Sequence, residues 1–158
     1  MATNDQLKTL ENLLKENRFA MLTSVDERGR LVSRPMTVQD RSEDWTLFFV
    51  TQRDTDVAQQ SDGKQVNLAI VGKGTFVSIS GTGHVVNDEA KKKELWNVFN
   101  EAYTEGGAEN PDNVILAVDA ESAEYWDSPN AVANLVGVLK AAATGTRPDG
   151  GENETVQL

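Results

Sequence analysis

Two short stretches of this chain combine residue types that can hold a ligand. Ser33-Arg34-Pro35-Met36 sets an arginine and a proline inside a run that otherwise reads as a strand. Proline cannot donate to a ladder, so it belongs at an edge or an irregular place, and an arginine there can point along a groove toward an anion. The plainer reading is a surface arginine beside an edge proline. In the second stretch, Phe49-Val50-Thr51, a hydroxyl closes an apolar strand. Backbone amides and that hydroxyl suit a phosphate or the edge of a heterocycle; alternatively the segment is an ordinary buried strand. Trp45, Trp96 and Trp126 could each stack on a ring, although tryptophans in a domain of this size usually belong to the core. His84 shares alternate positions with Ser78, Ser80 and Thr82 and reads as a polar-face residue rather than a base, and Lys91-Lys92-Lys93 reads as a solvated helix face.

The composition removes several classes of chemistry. Among 158 residues there is no cysteine and one histidine, which excludes disulfides, thiolate nucleophiles, Cys-based metal sites and a multi-His metal centre. There is no Walker loop, no GxGxxG and no nucleophile–base pair, so no catalytic residue is assigned. Net charge is −10, and such a surface repels nucleic acid. The basic residues are nonetheless concentrated: Arg28, Arg30, Arg34, Arg41 and Arg53 face only three acids between positions 28 and 53. A small anion suits that stretch better than a long polyanion. No apolar run approaches the roughly 20 residues of a membrane span, and the polar start Met1-Ala2-Thr3-Asn4-Asp5 lacks the pattern of a secretory signal. A cytoplasmic protein without a membrane partner is expected.

The elements that must carry these residues can be read from periodicity. Thr3-x-x-Gln6 has capping-box spacing, and Leu7, Leu10, Leu13 and Leu14 behind it predict a helix over about 4–17. Strands are predicted at 19–25, 30–38, 45–51, 65–71, 75–86, 114–118 and 123–126. Turns fall at Asp26-Glu27-Arg28-Gly29, Asp40 to Asp44 and Gly72-Lys73-Gly74. Residues 53–60 suit a short helix. A longer helix capped by Asn87 should run to about Tyr103, with Leu95, Trp96, Phe99, Ala102 and Tyr103 as its apolar stripe. A last helix follows Asp127-Ser128-Pro129-Asn130, with Val132, Leu135, Val136 and Leu139 on one face. The division is one domain over 1–143 and a Gly-rich, acidic, flexible tail over 144–158. Hairpin connections without repeated βαβ units predict a mainly β fold, an antiparallel barrel with peripheral helices.

Taken in order, the residues carry a resemblance. The N-terminal helix is followed by Ala20-Met21-Leu22-Thr23, Gly29, Ser33-Arg34-Pro35-Met36, Phe48-Phe49-Val50-Thr51, Val77-Ser78-Ile79-Ser80-Gly81, Leu95-Trp96 and Glu124-Tyr125-Trp126-Asp127. From about Leu7 to Leu139 this resembles the pyridoxamine 5′-phosphate oxidase-like flavin-binding split barrels, and within them the bacterial general stress proteins. The resemblance implies a six-stranded antiparallel split barrel working as a homodimer, with FMN in clefts at the subunit interface. FAD or the deazaflavin F420 is the alternative cofactor. It implies that Arg34, Pro35 and Met36 line the flavin, that Phe49, Val50 and Thr51 meet the ring edge and ribityl chain, that Thr55 supplies the phosphate-side hydroxyl, and that Trp126 approaches from near the interface. The implied activity is a flavin-dependent oxidoreductase using a nicotinamide on a small substrate; a non-catalytic flavin-sequestering stress protein is the other reading.

One departure stands out. Members of the family usually carry a lysine just after that hydroxyl, whereas here the run is Arg53-Asp54-Thr55-Asp56-Val57-Ala58. A weak phosphate end is expected, with Arg53 or Lys73 as possible replacements for the lysine and Val57→Lys as the change that would restore it.

Overall fold

Thr3 and Gln6 do close a capping box: the Thr3 side chain accepts the Gln6 N–H, and the Gln6 side chain accepts the Thr3 N–H at 2.9 Å. Helix α1 (Asn4–Glu16) buries Leu10, Leu13 and Leu14 and stops at Asn17, whose side-chain and main-chain N–H groups both return to the Leu13 carbonyl. Strands β1 (Phe19–Val25) and β2 (Leu31–Thr37) then form an antiparallel hairpin. Asp26 organises its turn, accepting the N–H groups of Arg28 and Arg30 and pairing with the Arg30 guanidinium at 2.7 Å. These bonds hold the Asp26 carboxyl below the usual carboxylate range.

The chain continues through β3 (Asp40–Arg41), β4 (Thr46–Gln52), α2 (Asp56–Ser61), β5 (Gln65–Val71), β6 (Thr75–Val86), α3 (Glu89–Leu95), α4 (Val98–Tyr103), β7 (Asn113–Asp127) and β8 (Glu152–Gln157). The computed structural model describes residues 2–127, 145 and 152–158. The helix expected around Val132, Leu135, Val136 and Leu139 lies outside the described residues. All strands pair antiparallel, in the order β2-β1-β5-β6-β7-β4-β3 with β8 added to β7. The six long strands make the expected mainly β split barrel with helices outside it; β3 and β8 are additions to it.

The ends of the order meet at one place. The Gln39 N–H donates to the Phe48 carbonyl at 2.8 Å, and the Val38 N–H donates to Arg18. Beyond that point β2 is laddered only to β1, and residues 49–52 of β4 only to β7. This is the split. Inside the barrel Leu22, Leu47, Phe49, Leu68, Ile79, Leu116 and Val118 have no exposed surface and form one core with the leucines of α1. Residues 114–118 of β7 are all buried, as a continuous apolar run in a central strand should be.

Four expectations need correction. The two strands at 114–118 and 123–126 are one, β7, interrupted by a bulge: Gly81 faces Ala120 and Ser80 faces Ser122, leaving Glu121 extra. The long helix to Tyr103 is two helices. It breaks at Trp96 and Asn97, where the Asn97 side chain caps α4 through the N–H groups of Phe99 and Asn100, and α3 is capped by Asp88 rather than Asn87. Of its expected apolar stripe Leu95 is buried, whereas Phe99 and Tyr103 are 68% and 84% exposed. The tail is not wholly loose either, because residues 152–157 pair with β7 and Val156 is buried.

The lysine run also divides. Lys91 and Lys93 pair with Asp40, Glu94, Glu89 and Glu109 at the surface. Lys92 is 1% exposed, and its Nζ donates to the carbonyls of Asn113 at 2.7 Å and Asn110 at 3.1 Å. Trp45 is a further irregularity: it is buried at φ 63°, with the Arg41 guanidinium 4.4 Å from its ring centroid and its carbonyl accepting the Ala120 N–H. Replacing Lys92 by methionine keeps the aliphatic stem; the Asn110 carbonyl retains the Asn113 N–H, while the Asn113 carbonyl loses its side-chain donor, at a cost of about 1–3 kcal/mol. Lys92→Met should therefore lower unfolding free energy in urea by about 1–3 kcal/mol, whereas Lys93→Met leaves the midpoint nearly unchanged. Equal small effects would mean that the Asn113 carbonyl finds water instead.

Candidate functional site

The split brings together one edge of β2, one edge of β4 and helix α2. Alternation along β2 turns Arg34 and Met36 to the face of Leu22 and Ala20, their register partners, and turns Pro35 to the opposite, exposed face beside Met21. Met36 packs against the core. The Pro35 ring therefore lies on the other face of β2 from Arg34 and Met36.

Arg34 is held rather than loose. Its Nη1 donates to Ser24 Oγ at 2.6 Å and to the Val32 carbonyl at 3.1 Å, and its Nη2 donates to Gln60 Oε1 at 3.0 Å. The Ser24 hydroxyl donates to the same Gln60 oxygen at 2.7 Å. All these partners are neutral. Burial holds the guanidinium below its ordinary range while the field of Asp56 works the other way, and a guanidinium stays protonated in either case. The bonds leave Nε and one hydrogen of Nη2 for a further acceptor. Ser24 and Gln60 were not marked by the sequence, because their contact spans 36 positions and neither belongs to a motif.

On β4 the alternation also decides. Phe49 is fully buried in the barrel core, so its ring cannot stack on a surface ligand. Thr51 is buried too, its hydroxyl 3.1 Å from that of Thr55. Val50 is half-buried, and its main chain has another role. The Phe48 carbonyl points away from β7 toward Gln39, and antiparallel ladders alternate, so the N–H and C=O of Val50 point to the same open side. Thr55 caps α2, accepting the Ala58 N–H and donating to the Gln52 carbonyl at 2.7 Å. Helix α2 thus ties the two edges together, through Thr55 at its start and Gln60 near its end.

The charges around Thr55 are mostly acidic. Asp54 and Asp56 are exposed, and Val57 is buried in the core cluster. Val57→Lys is therefore not the restoring change that was expected, since it would drive a cation into apolar packing. Arg53 uses its main-chain N–H on the Asp112 carbonyl and its Nη2 on the Pro111 carbonyl at 3.2 Å. Lys73 sits in the β5–β6 turn, at the other end of β6 from Val86, whose partner Ile115 faces Val50. Lys73 therefore lies away from Thr55, and Arg53, two residues before it, has one nitrogen engaged.

Trp126 lies apart from this group. It pairs across with Phe76 on β6 and Asn153 on β8. It stands at the far end of β7 from Ile115, the residue that faces Val50 beside the split. Among the described residues no group of acidic and histidine side chains could hold a metal ion, and no helix is long and apolar enough to cross a membrane.

Comparison with known proteins places this arrangement. The profile of the family described as pyridoxamine 5′-phosphate oxidase like matches residues 5–149. No curated protein matches the chain. Among solved structures, a general stress FMN/FAD binding protein from Xanthomonas citri is 30% identical, with a TM-score of 0.69 over 82% of this chain and 94% of that one. A protein from Jannaschia sp. assigned as general stress protein 26 is 25% identical, with a TM-score of 0.73 over 99% of this chain and 100% of that one. A protein from Clostridium acetobutylicum related to general stress protein 26 of B. subtilis shares the fold at 18% identity, with a TM-score of 0.71 over 99% of this chain and 96% of that one. With the split, its Arg34 and the ordered strands all inside the matched range, the chain belongs to the pyridoxamine 5′-phosphate oxidase-like family.

Proposed function

We propose that this protein binds FMN in the split between β2 and β4, and serves in the cytoplasm as a general stress flavoprotein. In this reading it oxidises a reduced nicotinamide and delivers hydride to a small substrate, which takes its proton from solvent. The observation that carries the reading is Arg34, a cation fixed by neutral partners at the junction of β1, β2 and α2, with donors left over. The residues fit the group. Met36 offers an apolar flank, the Val50 main chain offers a donor and an acceptor for a heterocycle edge, and Arg34 offers charge. Bound FMN would supply the hydride chemistry; the chain supplies position and electrostatics, which is why no nucleophile–base pair is needed.

The reading extends to a homodimer. Register across the outer face of the sheet aligns Phe19, Val71, Phe76 and Trp126 in one row, and the first three are 74%, 68% and 48% exposed. A second copy laid on this face would cover it. It would also supply Trp126 to a cleft that Trp126 cannot reach within its own chain. Light scattering at micromolar concentration should give about twice 17.3 kDa, and a monomer that still binds flavin one to one would remove the shared site.

Titration of the purified protein with FMN, FAD and F420 tests the reading directly. Saturable binding of FMN is expected, and binding of none of the three would end it. The acidic surroundings of Thr55 predict that FMN exceeds riboflavin by only about tenfold, or about 1.4 kcal/mol, and that Asp56→Asn raises FMN affinity while leaving riboflavin alone. A thousandfold preference in the unchanged chain would mean an intact phosphate clamp. Consumption of a reduced nicotinamide by the loaded protein then separates an enzyme from a sequestering protein.

Arg34→Ala should weaken FMN binding by about tenfold to a hundredfold, the worth of a charge-assisted hydrogen bond of roughly 1.5–3 kcal/mol. Arg28→Ala and Arg30→Ala, in the hairpin turn, act only through screened fields and should change affinity little. Equal losses in all three would deny Arg34 a special role.

A further inference from the structure

The edge of β7 that faces β4 has two occupants. β4 takes residues 113–119, β8 takes residues 122–127, and the bulge residue Glu121 stands between them. Twenty-four residues of chain, 128–151, separate the end of β7 from the strand that returns to it. What holds β8 there is mostly main chain. Its ladder runs from Ser122↔Gln157 to Asp127↔Glu152, and the Leu158 N–H donates to the Glu121 carbonyl at 3.0 Å. Val156, 1% exposed and opposite Ala123, enters the core, and Leu158 on the same face packs against it. Asn153, Glu154, Thr155 and Gln157 remain exposed, and a single side-chain bond, Gln6 to Glu154 at 2.8 Å, links the segment to α1.

An extended segment bound by a ladder and by alternate side chains in an apolar slot is how strand addition works. We infer that the β7 edge beyond the bulge is a strand-addition site and that residues 152–158 are its ligand. The segment docks and leaves as a unit, and the edge accepts the same segment from a second copy of the chain or as a free peptide. Three features support this occupant over a fixed tertiary element. The long connection gives the segment reach, two apolar side chains are its whole stake in the core, and the Glu121 carbonyl exposed by the bulge receives the Leu158 amide. The inference does not depend on flavin binding. Its consequence falls on Trp126, which lies opposite Asn153 between two residues, Tyr125 and Asp127, whose main chains face β8, so the docked segment orders that end of β7.

The test uses the full chain carrying Val156→Asp, which should displace its own segment, and a fluorescent peptide of residues 152–158. Anisotropy should show saturable binding of the peptide at least tenfold tighter than to the unchanged chain, whose own segment competes. A peptide carrying the same substitution should not bind. If the variant chain folds and ignores the peptide, the inference is wrong. Hydrogen exchange on the unchanged chain decides independently of the variant. Amides of Glu154, Val156 and Leu158, which alternation turns onto β7, should exchange together and at least tenfold faster than those of Leu68 and Ile79, and exchange at the same rate as those core amides would show a fixed strand.

Discussion

At position 81 the Cβ of any side chain would come within 2.2 Å of the Asp119 carbonyl oxygen. The two long strands meet there because residue 81 is glycine, and the register between them slips by one residue at that point. Much of the molecule depends on this contact. Below the bulge β7 serves β4, whose other edge forms one wall of the split; beyond it β7 serves β8 and carries Trp126 away from that wall. A straight β7 would keep one neighbour along its whole length. The main chain of Trp45 is fixed to the same region through the Ala120 amide, so the entry to β4 is set by the bulge as well.

Within that frame the electrostatics of the split are unusual for a chain of net charge −10. The half-buried cation beside the split, Arg34, meets a hydroxyl, a carboxamide and carbonyls instead of a carboxylate. Such a cation is oriented without being neutralised. A carboxylate in place of Gln60 would consume the charge that a ligand could use. The acids stand one step away, at Asp54 and Asp56 on the exposed side of α2, where they bias the site against strongly charged groups without touching Arg34.

Much of this was legible in the residues. β1, β5 and β6 have the limits that alternation and turn residues predict, and α1 begins at the capping box. Arg34 stood out because an arginine beside a proline is foreign to a strand interior. Other features were hidden for physical reasons. Asp119 to Ser122 reads as a polar break, because a bulge and a turn use the same residue types. Lys92 reads as surface because its partners are main-chain carbonyls 18 and 21 positions away, which leave no side-chain signature. The helix break at Asn97 lies within a continuous apolar pattern; the Asn97 side chain turns onto its own following amides to start α4, and the side-chain amides of Asn97 and Asn100 take the Leu95 carbonyl that ends α3. β8 hides in a stretch whose composition is that of a loose end, its order resting on Val156 and a ladder. The inward turn of Phe49 follows from its alternation with Leu47 and Thr51 along β4.

Trp45 shows how such a structure limits its own history. Its backbone occupies a left-handed conformation at φ 63°, which costs a residue with a side chain about 1–2 kcal/mol. Glycine would relieve that cost, yet it would forfeit the buried ring under Arg41, and large-to-small changes of this kind cost about 3–5 kcal/mol. Any single replacement is therefore a loss, even though the present residue is itself a compromise. The position can be left only by two changes at once, one to reshape the turn and one to refill the space. Sequence drift among relatives should accordingly treat residue 45 and the turn before it as a single inherited unit.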